Sequence, residues 1–253
     1  MKIVVCVKEV VADRQAQLLF LKSGLDIDAT YATFETNEAD LYALEEAMRL
    51  CESAGGGEVV ALTIGDERAD KMLQKCVAMG AARPVRVWSE SLTLNDPIVV
   101  ARALAKAIEA EKPDLVLCGV QSSDAAQQST GPALAALLAQ PSVSAAAKIA
   151  ITGRTATVHS ERDGGLMEVV EVDLPALITV QTGLNTPRSG SFKQLMLAKK
   201  TPIAIVDPGA IASPARITRM FDAPASLERA EVIDGGPAAV ASRIIDLVRG
   251  AGQ

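Results

Sequence analysis

The stretch that decides the fold is Asp114–Gln140, DLVLCGVQSSDAAQQSTGPALAALLAQ. Its apolar run Leu115–Cys118 is bounded by Lys112-Pro113 before and Gly119 after, the pattern of a strand buried on both faces. Thr130-Gly131-Pro132 then leads into an Ala/Leu-rich segment, which predicts a helix with a hydroxyl cap and proline in its first turn. Between them, Gly119–Ser129 is dominated by Ser, Gln, Asp and Ala, with Val120 its one large apolar side chain. A polar loop delivered by a buried strand onto a helix N-terminus suits a phosphate, because the first-turn N–H groups and the helix dipole both favour an anion. These residues alone leave two readings open: a nucleotide site at the carboxyl end of a strand, or an ordinary strand–loop–helix connection.

Upstream, the same alternation repeats. Lys2–Val7 (KIVVCV) is a continuous apolar strand suited to the middle of a parallel sheet. Residues 12–34 are mixed and carry the turn signal Lys22-Ser23-Gly24, so a hairpin or an irregular excursion is expected there. Asn37 then caps a helix with Glu38 and Asp40 in its first turn and an apolar stripe of Leu41, Leu44, Met48 and Cys51. Gly55-Gly56-Gly57 ends it. Glu58–Ile64 is the next strand, Gly65-Asp66 opens a helix that Gly80 stops, Pro84–Trp88 is a third strand, and Asp96-Pro97 starts another helix. Repeated strand–helix alternation over residues 1–140 predicts a parallel sheet covered on both faces, a three-layer αβα Rossmann-like α/β fold.

Downstream the pattern changes. Residues 143–151, 154–160, 166–172 and 175–181 all read as strands, punctuated by the hairpin signals Thr152-Gly153 and Asp163-Gly164-Gly165. No linker precedes them, so they form an antiparallel extension of the same domain. A polar loop, Leu184–Ser191, leads to a helical segment, Phe192–Lys200. Beyond Ile205 the chain is rich in Pro, Ala and Gly until an amphipathic helix at Ala238–Arg249. The expected division is a nucleotide-binding domain over 1–206, including a loop at 184–200, and an arm over 207–253. An arm with so little core of its own is expected to pack on another chain, disorder being the alternative.

Composition narrows the function. Apolar residues make up 49%, charged residues 22% and aromatics only 3%, an ordinary soluble composition with an aliphatic core. A net charge of −6 argues against a nucleic-acid partner. No apolar run reaches the length of a membrane span, and MKIVVCVKEV reads as a first strand rather than a signal segment, so membrane insertion is not expected and a cytoplasmic location is. The four cysteines, Cys6, Cys51, Cys76 and Cys118, are scattered among apolar residues without a C-x-x-C pair and are read as buried free thiols rather than metal ligands. The one histidine, His159, lies in an alternating strand, which excludes any His–His mechanism.

No G-x-G-x-x-G follows the first strand, no G-x-x-x-x-G-K-[ST] occurs, and no G-x-S-x-G elbow is present. A nucleotide-sized site without a recognisable catalytic group favours a binding or carrier protein over an enzyme. In a parallel sheet three strand ends can converge on one ligand: Val5–Lys8, Ile64–Arg68 and Gly119–Thr130, joined by Asn37–Asp40. Backbone groups after the first two strands would hold an adenine edge, Gln127 and Gln128 would add neutral hydrogen bonds, and Ser129, Thr130 and Gly131 would take phosphate.

The ordered motifs VCVKEV, N-E-A-D before an E-E-A helix, DLVLCGVQSSDAAQQSTG, ERDGGLMEVVEVDLPALITVQ and GLNTPRSGSFKQLMLAKKTPI resemble the β subunit of an electron-transfer flavoprotein over about residues 1–206. The V-Q-S-S-D…S-T-G form of the loop is most similar to β subunits that serve amine dehydrogenases. The resemblance implies an adenine-nucleotide-hydrolase-like sheet with a C-terminal arm, and an αβ heterodimer carrying electrons from a flavin-dependent dehydrogenase to a downstream acceptor. FAD would be held mainly by the α subunit, and AMP structurally by this one. The AMP contacts so implied are Cys6, Asn37, Glu38, Ala39, Asp40, Ile64, Asp124, Gln127, Gln128, Ser129, Thr130 and Gly131. Partner recognition maps to Arg188 through Lys200, with Phe192 as the apolar anchor where many relatives have leucine, and Arg188, Lys199 and Lys200 beside it.

Two departures matter. Asp13 stands where many relatives place a tyrosine near the flavin, and Ala125-Ala126 replaces the usual acidic run after Asp124. Bifurcating relatives with a second FAD in this subunit carry a Gly-Asp-Thr-Ala-Gln-Val type of loop, which this chain lacks; AMP is therefore expected over a second FAD. A stand-alone adenine-nucleotide-binding regulator is the competing reading of the same sheet.

Overall fold

The structure, a computed structural model, describes residues 1–12, 19–92, 94–221 and 232–250. Asp13 lies outside the described residues. The chain forms two compact units, Met1–Arg219 and Met220–Gln253.

In the first unit the apolar runs become strands that hydrophobic neighbours cover on both faces. They are β1 (Lys2–Cys6), β4 (Glu58–Ile64), β5 (Arg83–Val87) and β6 (Leu115–Gly119), alternating with helices α1 (Glu38–Ser53), α2 (Asp70–Met79), α3 (Pro97–Glu111) and α4 (Thr130–Leu137). Successive side chains of β1 point to opposite faces. Ile3 and Val5 pack with Leu44, Met48 and Leu73 of α1 and α2. Val4 and Cys6 pack with Leu104, Ile108 and Leu134 of α3 and α4. That division makes the three layers. As read from the sequence, Asp96 caps α3, its side chain accepting the Ile98 N–H at 2.9 Å, with Pro97 in the first turn.

The remaining strands are β2 (Glu9–Val11), β3 (Phe34–Thr36), β7 (Ser142–Thr152), β8 (Thr155–Arg162), β9 (Leu166–Asp173), β10 (Ala176–Val180) and β11 (Ala204–Val206). The main sheet runs β11-β5-β4-β1-β6-β10-β7-β8-β9, parallel from β11 to β7 and antiparallel from β7 to β9. The expectation for residues 175–181 is corrected here. β10 does not continue the meander but inserts between β6 and β7, parallel to both. Every residue of β10 is buried, the mark of an interior parallel strand, whereas β9 is exposed along most of its length.

Phe20 and Ile27 bridge antiparallel across the Lys22-Ser23-Gly24 turn, in keeping with the hairpin alternative for that segment. Two smaller features escaped the sequence reading: β2 and β3 form a separate antiparallel pair, and β11 adds an edge strand beside β5. Of residues 192–200, Phe192–Ala198 form the helix α5, which packs on α2. The second unit contains α6 (Pro237–Gly250), with Val240, Ile244, Leu247 and Val248 at helical spacing along one side. Among the described residues no helix is long and apolar enough to cross a membrane.

Candidate functional site

The chain reverses direction across the sheet at β1, which lies between β4 and β6 with Cys6 in register with Leu62 on one side and Cys118 on the other. The carboxyl ends of these strands therefore open on one edge, at the switch point where open α/β sheets bind ligands. Cys6, Ile64 and Gly119 are brought together there, with the first turn of α1 packed against them.

Asp40 organises this edge. It is 5% exposed, and its carboxylate accepts two backbone N–H groups, from Lys8 at 2.8 Å and from Gly119 at 2.7 Å. A Cβ on residue 119 would lie 2.5 Å from Asp40 Oδ1 and 2.7 Å from Ala39 Cβ, so only glycine allows this approach. Burial pushes the Asp40 carboxyl up to about 6, against the opposing pull of the two N–H donors.

Asn37 holds the next part of the loop. Its Nδ2 donates to the Gln121 carbonyl at 2.9 Å, and its Oδ1 accepts the Ser123 N–H at 3.2 Å. The expectation that its side chain caps α1 is corrected: Asn37 occupies the cap position but its side chain makes no cap bond to the helix backbone, and bonds the loop and Asp40 instead. An amide carries a donor and an acceptor together and matches a passing peptide group, which the loop supplies. Glu38, beside it, is exposed.

The rest of the loop is fixed by its own polar groups. Lys8 Nζ donates to Asp124 at 2.6 Å and to Ser122 Oγ at 3.1 Å, and Gln128 Nε2 donates to Gln121 Oε1 at 2.8 Å. Ala126 and Gln128 have φ of 48° and 52°, left-handed values that cost a non-glycine residue roughly 1 kcal/mol each. Gln127 is exposed.

At the far end, Ser129 occupies the cap position of α4 without a side-chain cap bond, which corrects the expected hydroxyl cap. The first intrahelical bond there runs from the Ala133 N–H to the Ser129 carbonyl at 3.0 Å. Thr130 and Gly131, in the first turn, have no intrahelical acceptor, and Pro132 has no N–H. Gly131 is buried: a Cβ there would lie 2.5 Å from Thr179 Cγ2 and 3.2 Å from Cys118 Sγ, so the helix start is pressed against β6 and β10. Free first-turn N–H groups, a backbone unobstructed by Cβ and a polar loop fit an anion such as a nucleotide phosphate.

The thiols are not reactive groups here. All four cysteines are free and buried, as expected. Burial, then the Asp40 charge, pushes Cys6 up to about 12, and burial likewise holds Cys118 well above the ordinary thiol value. Beyond Ile64 an open groove of about 940 Å³ is lined by Asp66, Arg68, Arg86, Trp88 and Asp207. Its cations are engaged internally: Arg86 with Asp70 at 2.7 Å and Arg68 with Glu9 at 2.6 Å.

A second feature is built on the same helix. The loop 184–191 is stapled to α1 by Asn185, which donates to the Tyr42 carbonyl and to Glu46, both at 3.0 Å. Arg188 pairs with Glu45 at 2.8 Å and Glu52 at 2.7 Å, which raises its own pKa and lowers that of Glu52. Gly190 passes so close to α2 that a Cβ would lie 2.6 Å from the Ala78 carbonyl. Ser191 and Gln194 form a capping box at the start of α5. On this rigid base Phe192 is 79% exposed, with Met196, Leu197, Lys199 and Lys200 also exposed.

The expected site residues thus fall into two groups, and the sequence reading missed several of the residues that build them. Gln121, Asn185, Glu45 and Glu46 carried no local signal, since each acts on a distant segment. Lys8 was legible only as the end of the first strand.

A family model described as electron transfer flavoprotein domain matches residues 25–210. The chain is 36% identical over 261 aligned positions to the electron transfer flavoprotein subunit beta of Methylophilus methylotrophus, covering 98% of each chain. Against the protein of that name from Syntrophomonas wolfei it is 33% identical, covering 98% of this chain and 96% of the other. It is 38% identical to the human electron transfer flavoprotein subunit beta over 170 positions, covering 66% of each.

Proposed function

Because this chain belongs to the electron transfer flavoprotein family, as one of its β subunits, we propose that it is one half of an αβ heterodimer in which it holds AMP structurally. The family makes it part of an electron-carrying flavoprotein. The finer reading is that electrons pass from a flavin-dependent dehydrogenase, of the amine-oxidising type by the likeness of the Val120–Gly131 loop, to a downstream acceptor. FAD, held mainly by the α subunit, supplies the redox chemistry when bound.

The observation that carries the AMP reading is the junction at β6 and α4. There Gly119 and Gly131 each sit where a Cβ would collide with a neighbour, and the start of α4, with its free first-turn N–H groups, is pressed against β6 beside β1. Cys6 and Ile64 line the end that suits an adenine, and Thr130 and Gly131 the end that suits phosphate. Asp124, Gln127 and Gln128 flank the path between. On the same reading, Phe192 meets the dehydrogenase with Lys199 and Lys200 around it, and the amphipathic side of α6 lies on the α subunit. Arg188 serves recognition by holding that loop in place.

Purification with the α subunit, followed by release of the bound small molecules, tests this. One FAD and one AMP per pair are expected. Two FAD per pair would overturn the AMP assignment, and a stable colourless monomer that binds ATP would favour a regulatory nucleotide-binding protein instead.

A further inference from the structure

We infer that Asp40 is a positioning residue that couples nucleotide retention to pH: its carboxylate pins together the backbone turns after β1 and β6, and the nucleotide sits on what it pins. The inference rests on the AMP reading above and deepens it, since the family resemblance makes Asp40 a nucleotide contact. The geometry gives it another task. Both carboxylate oxygens already accept backbone N–H groups, at 2.8 Å from Lys8 and 2.7 Å from Gly119. These residues begin the two segments that frame the cradle, and they are far apart in the chain. The missing Cβ at Gly119 is what lets the carboxylate reach the second one.

A carboxylate can accept from both N–H groups at full strength, but a carboxylic acid cannot. Protonation converts one oxygen into a hydroxyl donor, which then faces a backbone donor. The oxygen that becomes a hydroxyl is a much poorer acceptor, so one of the two N–H bonds weakens and the loop that Lys8 and Asn37 hold in place is anchored less firmly.

Several groups face Asp40. From the segment after β1 comes the Lys8 ammonium, itself bonded to Asp124, from β1 the Cys6 thiol, from the cap of α1 the Asn37 side chain, from β6 Cys118 and from α2 Cys76. Burial pushes Cys6 and Cys76 up to about 12 and Cys118 well above its ordinary value, so these thiols stay neutral. Asp40 itself is raised by burial to about 6. A raised acid is protonated more readily in the folded chain than in the unfolded one. This group's contribution to global stability therefore grows as pH falls from above 6 towards the ordinary aspartate value of 3.8, while its grip on the two N–H groups weakens. Stability and nucleotide retention are expected to move in opposite directions.

The test uses the full chain with its partner subunit and AMP as the probe. The phosphate of AMP also titrates near pH 6, so Asp40→Asn is the control that retains that component. Wild-type protein is expected to bind AMP about tenfold more weakly at pH 5 than at pH 8. Asp40→Asn should already be weak at pH 8 and show only the shallower slope of the phosphate. Independently, the amide proton resonances of Lys8 and Gly119 in the wild type should titrate with one shared midpoint, which the variant loses. Resonances that stay fixed from pH 8 to pH 5, or a variant that binds AMP like the wild type at pH 8, would overturn the inference. Shared amide titration in a protein that holds no AMP at any pH would instead overturn the nucleotide reading and leave the pin standing.

Discussion

Helix α1 carries two loops, and the way it holds them differs. Its first turn secures the loop after β6 through buried, mostly one-sided bonds: Asp40 and Asn37 bind backbone groups of Lys8, Gly119, Gln121 and Ser123. Its later turns secure the loop 184–191 through side-chain ion pairs, with Arg188 clamped between Glu45 and Glu52 and Asn185 on Glu46. The first arrangement fixes the course of a backbone that leads to the free first-turn N–H groups of α4. The second fixes a base from which α5 projects Phe192 outward. A small ligand needs backbone placed to within a fraction of an ångström, and bonds to the backbone itself supply that. A protein partner needs a rigid platform, and side-chain clamps are enough.

The clamp is the point at which this comparison breaks most visibly. Arg188→Ala leaves the Glu45 carboxylate, 5% exposed, without its bidentate partner. Arg188 is itself 38% exposed, so losing its charge-assisted bonds costs about 2 kcal/mol, which urea unfolding would read as a lower midpoint at unchanged slope. AMP content should stay at one per pair, because the cradle hangs on the other end of α1. Loss of AMP in this variant would show that the two loops are not independent.

Gly131→Ala addresses the other loop. The added methyl group would sit 2.5 Å from Thr179 Cγ2 and 3.2 Å from Cys118 Sγ, on strands that have no room to retreat. Overpacking of this kind costs about 2 kcal/mol. It should displace the start of α4 and empty the nucleotide site while electron transfer through the Phe192 surface persists. Nucleotide analysis and stopped-flow kinetics on the same sample would separate the effects. An AMP content unchanged from wild type would remove the phosphate role of this helix start.

Much of the parallel half was legible in the sequence, because burial on both faces writes itself as a continuous apolar run and glycine or proline marks each end. Lys2–Val7, Glu58–Ile64 and Leu115–Cys118 were read that way, and so was Asp96-Pro97 as a helix start. What stayed hidden is set by contacts far along the chain. Nothing in Ala176–Val180 says that it slips between β6 and β7 rather than following β9, since an apolar run records burial and not its neighbour. Asn37 looked like a helix cap because its local context is that of a cap; its partners Gln121 and Ser123 lie 84 and 86 residues away. Arg188 gave no sign of its intramolecular partners for the same reason, with both carboxylates on α1. In each case the residue type announced a capacity for polar contact, and only the fold determined where it was spent.

Phe192 carries the smallest expected effect on stability and the clearest one on function. At 79% exposure it stands clear of the core, at the first position of a helix already secured by the Ser191–Gln194 capping box. Its truncation to alanine should therefore change stability by less than about 0.5 kcal/mol. An exposed ring on a rigid base is the kind of side chain that carries binding energy when a partner buries it. Phe192→Ala is thus expected to slow electron transfer from the dehydrogenase roughly tenfold through weaker association, with FAD and AMP content unchanged. If the rate constant at saturating dehydrogenase also falls, the ring orients the bound partner as well as holding it. A variant that unfolds earlier or loses FAD would place Phe192 among the residues that build the platform, and the contrast between a loop that shapes a cavity and a loop that presents a side chain would no longer hold.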